Sequence, residues 1–246
     1  MATEIDGIRV LDGTTDILVA APHGPFANND YQNDIRTGLI VERIQGLLGC
    51  TAVINDRFLK PTLDIPKSRK HYLLDMFKTG NAKKVAGYLE RIRQVADTGG
   101  KTIVVWVHGI ADKVAITQGR EHAEAGLFDK SPDQLHALVG YGQGGDPKTG
   151  DQRDNHTAAR QTVERFRDEL TGSGMTTLLT RENGGNFRGR DVKRLNQWFL
   201  QQGFGFDQVE SIQLEIKEQD FRDSDTNATE GARIIAGALK AVVDRC

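Results

Sequence analysis

Two histidines, each followed by glycine, close apolar runs of the chain. Ile17-Leu18-Val19-Ala20 leads into Ala21-Pro22-His23-Gly24, and Val104-Val105-Trp106-Val107 leads into His108-Gly109. A third run, Ile212-Gln213-Leu214, leads into Glu215-Ile216-Lys217. In open α/β sheets ligands bind beyond the carboxyl ends of the strands, which is where these His-Gly pairs fall if the runs are strands. Glycine there lets backbone or ligand approach closely. Histidine and carboxylate are the ligands of catalytic zinc, commonly three protein groups with a fourth position left to water, so a third ligand is expected. Asp30 and Asp34 both follow His23 at usable distance, Asp34 just ahead of a helical pattern through Ile40, Ile44 and Leu47. The two cysteines, Cys50 and Cys246, have neither disulfide-scaffold density nor zinc-cage spacing, so any metal is held by His and carboxylate. His71, His122, His136 and His156 lack a partner at metal spacing and read as surface or structural residues.

The elements that must position these groups are legible as an alternation. Candidate buried strands are Ile17 to Ala20, Thr51 to Ile54, Ile103 to Val107, Leu135 to Gly140, Thr176 to Leu179 and Val209 to Ile216. Helical spacing recurs at Ala82 to Ala96, at Val163, Phe166 and Leu170, at Leu195, Trp198 and Phe199, and at Ala232 to Val243. Strands alternating with helices predict an α/β three-layer sandwich, a mostly parallel mixed sheet covered by helices on both faces. With no repeat or linker in 246 residues, the expectation is one domain, 1–246. Long polar or Gly-rich connections are expected at Arg57 to Lys70, Ile110 to Asp133, Gly140 to Asn155 and Arg181 to Arg190.

Charge and hydropathy exclude several classes. Lys plus Arg is 32 against 34 Asp plus Glu, a net charge of −2, which argues against nonspecific nucleic-acid binding. No apolar run approaches the ~20 residues of a membrane helix. The opening residues lack the basic and apolar regions of a signal peptide, so a cytoplasmic protein is expected.

The order Ala21-Pro22-His23-Gly24, Asp34-x-x-Thr37, His108-Gly109 and Gln213-Leu214-Glu215-Ile216 resembles the N-formylglutamate amidohydrolase family. Such enzymes are similar in fold and site to zinc carboxypeptidases. Related poly-γ-glutamate hydrolases share a His-Gly pair and an acidic residue three positions before a Thr, an offset that selects Asp34 over Asp30. The resemblance implies that His23, Asp34 and His108 bind Zn2+ and that Glu215 is the general base. It implies a metal-dependent amidohydrolase acting on a small molecule or peptide with a free carboxylate, through an N-acyl (formyl-type) or γ-glutamyl amide. Two departures stand out: Asp34 lies eleven positions after His23, farther than in the carboxypeptidases, and the Asp-x-Asn-Arg block of the family is not cleanly present. The stretch from Arg57 to Arg69 occupies its place.

Substrate recognition in this reading falls to arginines. Arg181-Glu182-Asn183-Gly184-Gly185-Asn186-Phe187-Arg188 resembles the Gly-Gly substrate loop of the family, with Arg181, Asn183 and Arg188 as carboxylate contacts. Arg57 and Arg69 are further candidates. A rival reading makes the chain a noncatalytic or nucleotide-binding α/β module that cradles phosphate with Gly140-Tyr141-Gly142-Gln143-Gly144-Gly145-Asp146, although this loop lacks the Lys-Ser/Thr of a P-loop. In that reading Glu215 faces outward on an edge strand, beside Gln213 and Lys217.

Overall fold

The computed structural model describes residues 2–5, 7–23, 34–59, 74–97, 100–143, 155–181 and 187–244. Its elements in chain order are β1 (Ala2–Ile5), β2 (Ile8–Leu11), β3 (Ile17–Ala21), α1 (Thr37–Leu48), β4 (Thr51–Asn55), α2 (Thr79–Ala82), α3 (Tyr88–Ala96) and β5 (Thr102–Ile110). There follow α4 (Asp112–Glu124), β6 (Ala137–Gly140), α5 (Arg160–Gly172), β7 (Thr177–Leu179), α6 (Trp198–Gln201), β8 (Val209–Lys217) and α7 (Asp225–Val243). The eight strands form one mixed sheet in the order β1-β2-β4-β3-β5-β8-β6-β7. Its centre is parallel, β4 with β3, β3 with β5 and β5 with β8, while β1, β2 and β6 pair antiparallel with their inner neighbours.

The two-residue period of the strands divides the core. On β3, Ile17, Val19 and Ala21 face the layer of α1, α5 and α7, while Leu18 and Ala20 face the opposite layer with α3 and the 195–199 segment. On β5, Val105 and Val107 go to the first layer, and Val104 and Trp106 to the second. Burial of both faces is what makes these strands read as continuous apolar runs rather than alternating ones. Trp106 is fully buried in the second layer and satisfies its indole N–H by donating to Ser211 Oγ at 2.9 Å.

All six strands expected from sequence are present, and the structure adds the β1–β2 hairpin at the edge. Two expectations need correction. Ile110 to Asp133 is not an irregular loop, because it holds the thirteen-residue helix α4. The buried face of α4 consists of Ala115, Gln118, Gly119 and His122, small or polar groups that leave no apolar stripe to detect. Gly119 packs so closely against Pro132 that a side chain would have no room. The helix expected over Ala82 to Ala96 is interrupted: Gly87 adopts a left-handed conformation with φ 81°, and α3 begins only at Tyr88.

Candidate active site

His23 stands two residues beyond the end of β3, His108 is the seventh residue of β5, and Asp34 closes the approach to α1. The local chemistry of the Asp34 turn explains the Asp-x-x-Thr spacing: Thr37 donates both its backbone N–H, at 3.2 Å, and its hydroxyl, at 2.9 Å, to the Asp34 carbonyl. Arg36 within that turn has φ 62°, the left-handed region that reverses the chain into the helix.

The three side chains form a small buried triangle. His23 Nδ1 lies 3.2 Å from Asp34 Oδ2, His108 Nδ1 lies 3.1 Å from the same oxygen, and the two Nδ1 atoms are 3.2 Å apart. Exposures of 2%, 1% and 3% for His23, Asp34 and His108 place the triangle out of bulk water. Burial by itself would push the Asp34 carboxyl up, but the charge of His23 and the hydrogen bonds from both histidines outweigh it and hold the group well below the usual carboxylate range. Among the described residues this is the one cluster of three such side chains able to share a cation.

The donor set fits a zinc ion. Ligands at 2.0–2.2 Å in tetrahedral array stand about 3.3 Å from one another, close to the edges of this triangle. The other face of His23 points the same way. Its Nε2 is 2.8 Å from Asp75 Oδ1, so a proton on Nε2 donates to that carboxylate, and when the ring is neutral, rather than in the charged form that depresses Asp34, the Nδ1 lone pair turns toward Asp34 and His108. Two electron-rich atoms, His23 Nδ1 and Asp34 Oδ2, then face each other at contact distance, an arrangement that a proton or a shared cation must bridge. Asp75 is itself fixed: Oδ1 also accepts the Phe77 N–H at 3.2 Å, and Oδ2 accepts from Arg194 Nη1 at 2.8 Å. Carboxylates in this relation to a ligating histidine orient the ring and raise its basicity.

Glu215 joins the site from the neighbouring strand. In the parallel pairing of β5 with β8, His108 is the register partner of Glu215, and both side chains project from the same face of the sheet. Glu215 is 5% exposed, and one oxygen, Oε1, accepts from Gln213 Nε2 at 2.6 Å. Since β8 lies between β5 and β6, Glu215 is on an interior strand and not on an edge. The polar side of β8 is buried because it builds the floor of a cleft of ≈ 350 Å³. Phe77 forms an aromatic wall, edge-on to His108 with ring centroids 4.4 Å apart. Arg188, Arg190 and Arg194 line the same cleft together with Asp191, and Arg194 is paired with Asp75 and Asp191.

The segment carrying Arg188 is clamped to the sheet. Gly142 N donates to the Arg188 carbonyl at 2.6 Å, and the Gly189 carbonyl accepts from Asn196 Nδ2 at 3.0 Å and Gln197 Nε2 at 2.7 Å. The Phe187 carbonyl occupies the space a Cβ would need at Gly140. Gly140 therefore admits the backbone of this segment, while Gly142, with φ 78°, makes room for the Asn155 carbonyl. The Tyr141 N–H is also engaged, with Gln143 Oε1 at 3.0 Å, so neither amide is turned to a phosphate.

The remaining arginines separate. Arg181 lines a second cavity with His122, Leu179 and Arg167, and its Nη1 approaches the Glu121 carbonyl at 3.5 Å. Arg57 is exposed, lies over the Phe58 ring at 5.5 Å and is not among the residues lining the cleft. Asp30, Arg69 and Asn183 lie outside the described residues, as do Gly144 to Asp146. Sequence reasoning missed Asp75, Phe77, Arg190, Arg194 and Gln213 as site residues. For Asp75 a signal existed: it is an acid set inside the apolar string Leu73-Leu74-Asp75-Met76-Phe77.

Sheet order and helical layers define a three-layer α/β sandwich with its candidate site at the strand ends, and two solved structures share that architecture. An N-formylglutamate amidohydrolase from Ralstonia eutropha superposes with a TM-score of 0.55 at 13% identity, over 98% of each chain. A gene product from Agrobacterium tumefaciens has the same TM-score at 10% identity, over 97% of this chain and 95% of that one. A metallo-carboxypeptidase from Burkholderia cenocepacia reaches 0.49 at 11% identity, over 97% of this chain and 61% of that one. No protein-family description matches the sequence, and no curated protein does. No helix among the described residues is long and apolar enough to cross a membrane.

Proposed function

We propose that the chain is a zinc-dependent amidohydrolase that cleaves an N-acyl, formyl-type, or γ-glutamyl amide of an amino acid bearing a free carboxylate. The observation that carries the reading is the buried His23–Asp34–His108 triangle in strand register with Glu215, beneath a cleft lined by arginines. The fold shared with an N-formylglutamate amidohydrolase agrees with this reaction class.

His23 and His108 would hold the ion through Nδ1 and Asp34 through Oδ2, with Asp75 keeping the His23 lone pair aimed inward. The chemistry such an ion supplies when bound is Lewis-acidic: it lowers the pKa of water and polarises a carbonyl oxygen. Glu215 takes the proton from the attacking water and returns it to the leaving amine, and Gln213 fixes the carboxylate for both transfers. Arg188 and Arg190 supply cationic groups for the substrate carboxylate and for the oxyanion that develops on the scissile carbonyl. Phe77 and the bound substrate exclude water from the reacting atoms.

The test is hydrolysis of a panel of N-formyl, N-acetyl and γ-glutamyl amino acids by protein reconstituted with zinc, with metal content measured in parallel. Release of free amine that disappears on chelation and returns with zinc supports the reading. Protein that takes up no zinc, or that hydrolyses none of the panel when loaded, overturns it.

A further inference from the structure

A buried cation lies behind the site and does not enter the mechanism. Arg222, in the connection from β8 to α7, has no exposed surface. Its guanidinium donates to three backbone carbonyls: Nε to Ile216 at 2.9 Å, Nη1 to Ile35 at 2.7 Å and Nη2 to Ile110 at 3.2 Å. Each carbonyl belongs to a segment that carries a site residue. Ile35 follows Asp34, Ile110 is two residues beyond His108, and Ile216 follows Glu215.

The contact is reciprocated. Arg36, inside the Asp34 turn, donates from Nη1 to the Arg222 carbonyl at 2.9 Å and from Nε to Asp225 Oδ1 at 2.8 Å. Three chain segments distant in sequence thus meet at one planar fork, whose fixed donor directions suit several acceptors at once. The charge is opposed by Asp34, Glu218, Glu215 and Asp112, two of them carboxylates of the site. Burying a guanidinium on neutral carbonyls is costly unless the geometry is close to ideal, so ordinary core packing is a poor account of this residue.

We infer that Arg222 is a positioning residue: it sets the spacing of the Asp34, His108 and Glu215 segments and thereby the affinity of the triangle for a divalent cation. The inference rests on the metal-site reading given above. Arg222 touches none of the three donor atoms, and its effect passes through the backbone.

The experiment compares wild type, Arg222→Met, Arg222→Lys and a control, Leu170→Ala, which opens a cavity in α5 remote from the site. Zinc dissociation constants come from competition with a chromophoric chelator, and melting temperatures of the metal-free proteins are measured alongside. Arg222→Met is expected to weaken zinc 10- to 100-fold, the range seen when groups supporting the ligands are removed. Arg222→Lys, which keeps the charge but not the fork, should fall between. Leu170→Ala should lose thermal stability and keep wild-type affinity. Wild-type affinity in a folded Arg222→Met or Arg222→Lys protein overturns the inference alone, as does equal weakening in Leu170→Ala. Failure of both Arg222 variants to fold also overturns it, since the residue would then serve the fold as a whole. A wild-type protein without zinc affinity overturns this inference and the metal-site reading together.

Discussion

His108 and Glu215 are 107 positions apart in the chain and face each other in register on adjacent strands. A strand spacing of about 4.8 Å puts one histidine of the triangle beside a buried carboxylate that is not part of it. The sheet itself thus sets the distance between the group proposed to hold a cation and the group proposed to carry a proton. Each further consequence can be tested separately.

Purified protein should carry about one zinc per chain. His23→Ala and His108→Ala should each reduce it to background, because two protein ligands out of three leave an incomplete site. Asp34→Ala should bind zinc measurably more weakly than wild type. Elemental analysis of the purified variants decides the matter, and full zinc occupancy in either histidine variant would exclude that residue as a ligand.

Asp75→Asn should weaken zinc about 10- to 100-fold without removing a ligand, since the amide holds His23 Nε2 less firmly and releases Arg194 from its ion pair. Asn has nearly the shape of Asp, so the fold should persist. The comparison to make is zinc affinity against circular dichroism: unchanged affinity in a folded variant would separate Asp75 from the site.

How far the sequence carried these assignments depends on the kind of signal. Strands buried on both faces, such as β3 and β5, announce themselves as apolar runs, and their ends located His23 and His108. The polar alternation Gln213-Leu214-Glu215-Ile216-Lys217 also left open an exposed edge, because alternation reports which side is polar and not whether that side is buried. Helix α4 escaped detection for a related reason: its inward face is Ala115, Gln118, Gly119 and His122. Asp75, Arg194 and Arg222 each act through a partner more than a hundred residues away, and no local pattern encodes such contacts. Arg181 and Arg188 belonged to one loop in sequence, yet they line different cavities.

That separation predicts a kinetic contrast. Arg188→Ala should lower kcat/KM for carboxylate-bearing substrates about tenfold or more while zinc content holds, a charged hydrogen bond being worth ~1.5–3 kcal/mol. Arg181→Ala, whose side chain lines the second cavity, should leave kcat/KM within about twofold. Steady-state kinetics on both variants would reveal a reversed ranking, and with it the wrong choice of recognition arginine.

Cys50 gives a pH prediction independent of catalysis. Burial pushes its thiol from 9.0 up to about 12. A raised acid is neutral in the fold and ionises more readily when unfolded, so its contribution to stability is intact below pH 9 and declines as pH rises from 9 toward 12. In a Cys246→Ser background, which leaves one thiol, native protein at pH 8 should react with a thiol reagent far more slowly than protein in denaturant. Equal rates would show that Cys50 is accessible. Urea midpoints should fall between pH 9 and 11, and less so in Cys50→Ala.

Glu215→Gln bears most directly on mechanism. Glutamine keeps the size of the side chain and can still accept from Gln213 Nε2 through its carbonyl oxygen, so the hydrogen bond now at 2.6 Å can persist. It cannot take a proton from water at neutral pH, and loss of a general base typically lowers turnover by ~10²–10⁴. Zinc affinity should change little, because the triangle of His23, Asp34 and His108 does not include Glu215. A buried polar residue with a purely structural role would give the opposite pattern, a lower melting temperature with turnover per folded molecule intact. Measuring kcat, zinc content and melting temperature on one preparation separates the two outcomes. A zinc-loaded Glu215→Gln protein with wild-type kcat would assign the proton transfer to another group in the cleft and leave the metal site as the part of the reading that stands.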